Sequence, residues 1–293
     1  MTRNLLVLFT IFYSCIAYAQ FPITDLYLAE LKNISLEPKV SAITYLSSFN
    51  AGGYTNQPNF FDYNTIYATV VGKHDSIADI IKIKLSNREY TKITNTEAIS
   101  EFSPSPIIES DQFSVVRIEA DGVTQTLWQY PLDRSNKGKR LLKKLNNVGY
   151  YCWLSKDKVA LFLVGKNNTL AIGDVKNDDV SMIAENIGRC IRSKDAENIL
   201  FVHKIRPDFW LLKSYNINEK VISTICQMPK GREDFELIGD NAYLAGDGSK
   251  IMYYHSEKSS NWESIADLSS TGISNITRLA IARDRLAFVD VKN

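Results

Sequence analysis

The hydrophobic pattern of this chain is short-ranged. Runs of about four to seven residues, fully apolar or alternating and rich in Val, Ile, Tyr, Phe and Thr, sit between clusters of Asn, Asp, Ser, Gly and Lys. They include Thr65–Val71, Asp79–Leu85, Phe113–Ile118, Thr126–Tyr130, Val159–Val164, Asn198–His203, Ala242–Ala245 and Leu286–Val291. Such runs predict strands and such clusters predict turns. Long helical periodicity is missing. The best helix candidate, Lys139–Asn146, is short and falls where a strand would also fit.

The runs belong to a repeating unit. In LSKDKVALFLV, Asp157 stands two residues before an apolar strand. An aspartate two or three residues before an apolar strand occurs also at Asp62, Asp111, Asp195, Asp240 and Asp284, and the successive spacings of all six are 49, 46, 38, 45 and 44 residues. A period of this size, with about four strands in each, predicts propeller blades. A single blade cannot bury both faces of its sheet, so the unit must recur around a ring. The aspartates are expected to be structural, each carboxylate accepting backbone N–H bonds that close a hairpin. After Asp284 only one strand's length of chain remains, whereas Asp25–Leu31 and Lys39–Leu46 precede the first full unit. The expectation is therefore an all-β, six-bladed β-propeller whose last blade is closed by N-terminal strands, leaving no exposed sheet edge in the ring.

Composition narrows the setting. Thirty-four basic and thirty-three acidic residues nearly cancel, so nothing points to nucleic acid. Residues 1–19 read as a signal peptide, with Arg3 at the start, an apolar stretch from Leu5 to Ile11, and Ala17-Tyr18-Ala19 as the cleavage motif. That stretch is shorter than the ~20 residues a membrane span needs. The mature chain is expected to begin at Gln20 and form a single domain over 20–293, exported to the periplasm or beyond, without a membrane span and monomeric. Cys15 leaves a lipoprotein as the lesser alternative. Cys152, Cys190 and Cys226 lack metal-site spacing. Either one bridge, Cys190 to Cys226, or three free thiols is compatible with the sequence.

The stretch NAGGYTNQPNFFDYNTIYAT (Asn50–Thr69) resembles the TolB-like, WD-repeat-like propeller family of exported bacterial proteins, with Gln57-Pro58-Asn59-Phe60 and Asp62 matching its blade motif. Asp25–Leu31 resembles the family's early strand. Glu101–Ile118 (through Glu101, Ser103, Pro104 and Asp111) and Gly149–Gly165 resemble the next two units. With the TNQP stretch, the likeness is greatest to secreted propellers of Bacteroidetes-type bacteria. The family's Asp-Gly turn is absent at all six aspartates. The resemblance implies a scaffold whose members are mostly binding modules; a scaffold alone does not fix an activity.

Motifs for nucleophilic, phosphate or zinc chemistry are absent. His74, His203 and His255 share no spacing, and no cofactor or metal is expected. The channel mouth is expected where the innermost strands begin. The residues expected to bind there are Asn56, Gln57, Glu101, Ser103, Tyr151, Trp153, Arg189, Glu233 and Asp234, the aromatics giving contact area and the charges orientation. The leading expectation is a non-catalytic binding or scaffold module for a protein or glycan. The alternative is a carbohydrate hydrolase or lactonase, for which at least two of Glu101, Glu233 and Asp234 would converge. Arg189, Arg192 and Arg278 are available to meet a substrate carboxylate.

Overall fold

The computed structural model describes residues 21–34 and 38–292. The proposed signal peptide, with Cys15, lies outside the described residues. The strands run in chain order as meanders. β1 (Thr24–Lys32) and β2 (Lys39–Tyr45) come first. Next are β3 (Tyr54–Asp62), β4 (Thr65–Val71), β5 (Asp79–Lys84) and β6 (Glu89–Lys92). β7 (Ser100–Pro106), β8 (Gln112–Ile118), β9 (Gln125–Pro131) and β10 (Lys139–Leu141) form another group. β11 (Val148–Trp153), β12 (Lys158–Leu163), β13 (Thr169–Asp174) and β14 (Asp179–Glu185) follow. Then come β15 (Ile187–Ser193), β16 (Asn198–Arg206), β17 (Phe209–Asn216) and β18 (Val221–Gln227). The chain ends with β19 (Phe235–Ile238), β20 (Ala242–Asp247), β21 (Lys250–His255), β22 (Glu263–Asp267), β23 (Ile276–Ala282) and β24 (Arg285–Val291).

Hydrogen bonding gathers these into five sheets. Four contain four strands each, and one contains eight, in the order β23-β24-β1-β3-β4-β5-β6 with β2 on β1. The eight-stranded sheet is uneven. β1 pairs antiparallel with β24 from Thr24↔Val291 to Glu30↔Arg285, but meets β3 at a single parallel pair, Thr24↔Tyr54. Across that weak seam the Thr24 hydroxyl donates to the Thr55 carbonyl at 3.0 Å. The first strands of successive groups abut one another, β3 on β7, β11 on β15, β15 on β19 and β19 on β23, and β23 returns to β3.

The second strand of each group is the most apolar because both of its faces are covered. Val159–Leu163 and Leu286–Asp290 are buried throughout. The core lies between sheets. Ala160 and Phe162 pack with Ile191, Ile199 and Phe201 of the next group. Burying one such side chain contributes about 1.5–3 kcal/mol. Outer strands are wet, and every residue of β6 is exposed.

All six turn aspartates fall at or beside the hairpin between the first two strands of a group. The expected carboxylate bonds form at two of them. Asp62 accepts from the Asn64 N–H at 2.7 Å, and Asp195 from the Glu197 and Asn198 N–H groups at 2.8 Å. Asp111 and Asp157 instead use their main-chain carbonyls, accepting from Leu132 and Val175. Asp284 accepts from the Tyr63 hydroxyl. At Lys139–Asn146, the best helix candidate but also a place where a strand would fit, the chain forms the short β10 and a turn. Arg140 bonds the carbonyls of Lys143 and Leu145, stabilising a non-helical course. Cys152, Cys190 and Cys226 are all free thiols, so the Cys190–Cys226 bridge does not form.

Candidate functional site

The six first strands surround a cavity of about 320 Å³. β3 contributes Gln57 and Asn59, β7 Ser103 and Ser105, β11 Tyr150 to Trp153, β15 Arg189 to Arg192, β19 Glu236 with Asp234 just before it, and β23 Arg278 to Ile281. The register slips on β3, β7, β11, β15 and β23. Three of these slips carry non-glycine residues with left-handed backbone, Gln57 (φ 54°), Ser103 (φ 53°) and Arg278 (φ 52°). A bulge adds one residue to a strand and re-aims its side chains. On β15 the slip brings Arg189 and Arg192, three apart in sequence, to the same cavity.

An ion-pair ladder crosses the cavity. Arg189 grips Asp234 with two nitrogens, Nη2 to Oδ2 at 2.7 Å and Nε to Oδ1 at 3.3 Å. Its Nη1 lies 3.3 Å from Glu233 Oε1, and its main-chain N–H donates to Glu233 Oε2 at 3.1 Å. Lys204 completes the Glu233 pair at 2.7 Å. Although burial opposes the charged form, Arg278 and Arg189 hold the Asp234 carboxyl down at about 2. Arg192 pairs with Glu236 and donates to the carbonyls of Ile191 and Leu279 at 3.0 and 2.8 Å. Burial pushes the Glu236 carboxyl up against the pull of Arg192. Arg278 Nη2 donates to the Tyr150 hydroxyl at 2.8 Å, joining β23 to β11.

The structure divides the residues expected at the mouth. Gln57, Ser103, Tyr151, Trp153, Arg189 and Asp234 line the cavity, whereas Asn56, Glu101 and Glu233 do not. Glu101 is fully buried and accepts from the Tyr130 hydroxyl at 2.6 Å. It therefore does not converge with Glu233 and Asp234, which meet at Arg189. Asn56 is buried, its Oδ1 accepting from the Gln57 N–H. Trp153 touches the cavity from a buried position, its indole N–H donating to Ser114 Oγ at 2.8 Å on the neighbouring sheet. Tyr151 donates to the Ser103 carbonyl at 2.8 Å, and burial raises its phenol. Gln57 Oε1 accepts from Thr69 Oγ1 and the Ser103 N–H, both at 2.9 Å. The lining also reaches past the end of β7 to Ile108, which is 40% exposed. This exposed lining residue lies at the far end of an inner strand, opposite the end where the mouth was expected.

Sequence reasoning missed Glu236 altogether. It lies two residues beyond Asp234, and strand alternation would have placed both on one face. Arg192, Arg278 and Tyr150 were visible as residue types, but their partners, such as Leu279, are too distant in sequence for any local pattern to reveal. Among the described residues no group of three His, Cys, Asp or Glu side chains is arranged for a metal ion. His203 is partly buried, which lowers its pKa, and the His255 Nδ1 accepts from the Glu257 N–H.

No protein-family model matches the chain, and no curated protein matches it by sequence. Solved structures do resemble it. A protein assigned as TolB from Agrobacterium tumefaciens superposes with a TM-score of 0.68 at 9% identity, covering 93% of this chain and 99% of that one. A chain of a nidogen/laminin complex gives 0.57 at 10% identity, covering 82% and 92%. An oligogalacturonate lyase solved with manganese gives 0.54 at 8% identity, covering 88% and 83%. At these identities the likeness defines the fold alone. The chain is all-β with a TolB-like propeller fold.

Proposed function

We propose that the chain is an exported, single-domain, six-bladed propeller that acts as a non-catalytic binding or scaffold module for a protein or glycan at its channel mouth. Six blades follow if the eight-stranded sheet counts as two, since β1 and β3 share a single paired position, Thr24↔Tyr54, and the remaining bonds there run through the Thr24 hydroxyl. The antiparallel register of β1 on β24 supports closure of the last blade by the N-terminal strands. Export rests on the sequence of residues 1–19. No helix among the described residues is long and apolar enough to cross a membrane.

The observation that carries the binding reading is the engagement of Glu233 and Asp234 by Arg189. Hydrolysis by paired carboxyls needs one of them protonated at working pH and free to reach a leaving group. Asp234, held at about 2, carries no proton there. One observation favours the hydrolase alternative. Asp234, just before β19, and Glu236 within it line the same cavity, and their environments push their carboxyls in opposite directions, a pattern used to separate acid from base. Against it, Glu236 is tied to Arg192.

Two assays on residues 20–293 separate the readings. Photo-crosslinkers at Ile108, on the cavity lip, and at Tyr90, on the outer strand β6, are exposed to envelope extract and to immobilised glycans. A saturable adduct at 108 and none at 90 is expected, and capture at 90 alone sinks the assignment of binding to the cavity. A panel of chromogenic glycosides and lactones is expected to show no turnover. Turnover abolished by both D234N and E236Q would replace the binding reading with the hydrolase.

A further inference from the structure

We infer that the cavity binds a small molecule bearing a carboxylate, anchored by Arg278. This deepens the binding reading above and rests on it. Three arginines, Arg189, Arg192 and Arg278, line the cavity against two acids, Asp234 and Glu236. Adding Glu233 and Lys204, which join the same ladder, leaves the balance unchanged. The site therefore holds one cation in excess.

The hydrogen bonds locate that excess. Every guanidinium nitrogen of Arg189 meets a carboxylate, Nε and Nη2 on Asp234 and Nη1 on Glu233. Arg192 is equally committed, to Glu236, Ile191 and Leu279. The Arg278 guanidinium makes one hydrogen bond, from Nη2 to the Tyr150 hydroxyl. Its Nη1 pairs with Asp234 Oδ1 at 3.8 Å, an ion pair beyond hydrogen-bond range, and its Cζ stands 4.7 Å from the centre of the Tyr150 ring, so the charge is partly shared while N–H donors on Nε and Nη1 stay unfilled. A guanidinium carries five N–H donors in a planar fork suited to a carboxylate. The side chain is 15% exposed, so its charge is partly stripped of water yet reachable.

Two further features fit a ligand site. Ser103 Oγ is buried without a hydrogen-bond partner on the same cavity wall, a donor that a polar ligand would satisfy. Arg278 and Ser103 are both held in left-handed backbone, the kind of strain that persists where surrounding structure over-determines a functional position. A cavity of about 320 Å³ is at the small end of ligand pockets, matching a sugar acid or amino acid in size.

The test uses residues 20–293 with galacturonate, N-acetylneuraminate and glutamate as probes, galactose as the neutral control, inorganic phosphate as the competing anion, and calorimetry as the readout. At least one acid is expected to bind with a Kd below ~1 mM, and galactose much more weakly. R278G deletes the guanidinium while supplying the residue that tolerates φ 52° best. It is expected to weaken binding about 10–100-fold, the loss of charge-assisted bonds, while keeping a single cooperative melt, lowered by the lost Tyr150 bond and Asp234 pair. R278K, which keeps charge without the fork, is expected to fall between. The inference is overturned if no acid binds the parent chain, if R278G binds as tightly, or if phosphate binds more tightly than every carboxylate. A partner captured from Ile108 equally well by R278G would leave the binding module standing while removing the carboxylate.

Discussion

Arg189 Nη2 stands 2.7 Å from Asp234 Oδ2, and the same guanidinium reaches the adjacent Glu233. This pairing makes stability depend on acid. Asp234 is held at about 2, below its ordinary 3.8, so the unfolded chain binds its proton first as pH drops. The stabilisation is therefore complete above about pH 4 and is lost as pH falls from 4 toward 2, amounting to roughly 2 kcal/mol. Urea melts across that range should show the loss in the parent chain. In D234N that component of the pH dependence should be absent. At neutral pH the variant should be about 3–5 kcal/mol less stable, since Arg189 and Arg278 keep their charge without the counter-charge.

Trp153 was expected to offer its ring to a partner, and the structure instead ties it to Ser114 across the gap between two sheets. W153F should cost about 1–3 kcal/mol, from the lost hydrogen bond and the smaller ring. The parent's emission should lose a blue-shifted contribution, as Trp153 is 4% exposed while Trp128, Trp210 and Trp262 are less buried. A double-mutant cycle with S114A should return a coupling near 1 kcal/mol. A coupling of zero would mean that the indole N–H contributes nothing.

The bulge positions behave differently from one another despite similar backbone. Ser103 has φ 53° and an unpartnered hydroxyl, so S103G gives up no bond and relieves left-handed strain. It should raise stability by about 0.5–1 kcal/mol. Gln57 has φ 54°, but its side chain accepts two hydrogen bonds. Q57G should lower stability by about 1 kcal/mol. Thermal melts that shift both variants in the same direction would show that backbone strain is not what distinguishes these sites.

What was legible in the sequence follows from range. The hairpin positions of Asp62 and Asp195 depend on neighbours within three residues, and the apolar second strands reflect burial on both faces, so composition marks them. Whether a side chain on an inner strand faces the cavity or the next sheet depends on bulges, which break alternation. Trp153 lines the cavity as expected, but its tie to Ser114 on the next sheet lies beyond any local pattern. Glu101 was misassigned because its partner Tyr130 lies two strands away. Of the two readings open at Lys139–Asn146, the strand holds over three residues because β10 pairs with β9, a tertiary contact that overrides a weak helical preference.

The N-terminal strand supplies the last prediction. β1 covers the edge of β24, whose Leu286, Ala287, Phe288 and Val289 are fully buried. Leu26, Leu28, Leu31 and Leu46, all at 7% exposure or less, bring the N-terminal segment into the two adjoining clusters. Burying four leucines is worth about 6–12 kcal/mol as an upper figure, comparable with the entire stability of an ordinary domain. A chain of residues 47–293 should therefore fail to fold on its own, eluting as aggregate through the uncovered β24 edge. A peptide spanning 21–46, added during refolding, should restore a soluble complex by re-forming the Thr24↔Val291 to Glu30↔Arg285 register. A monomeric 47–293 fragment that melts at the temperature of the parent would show that β1 decorates β24 and does not close the ring.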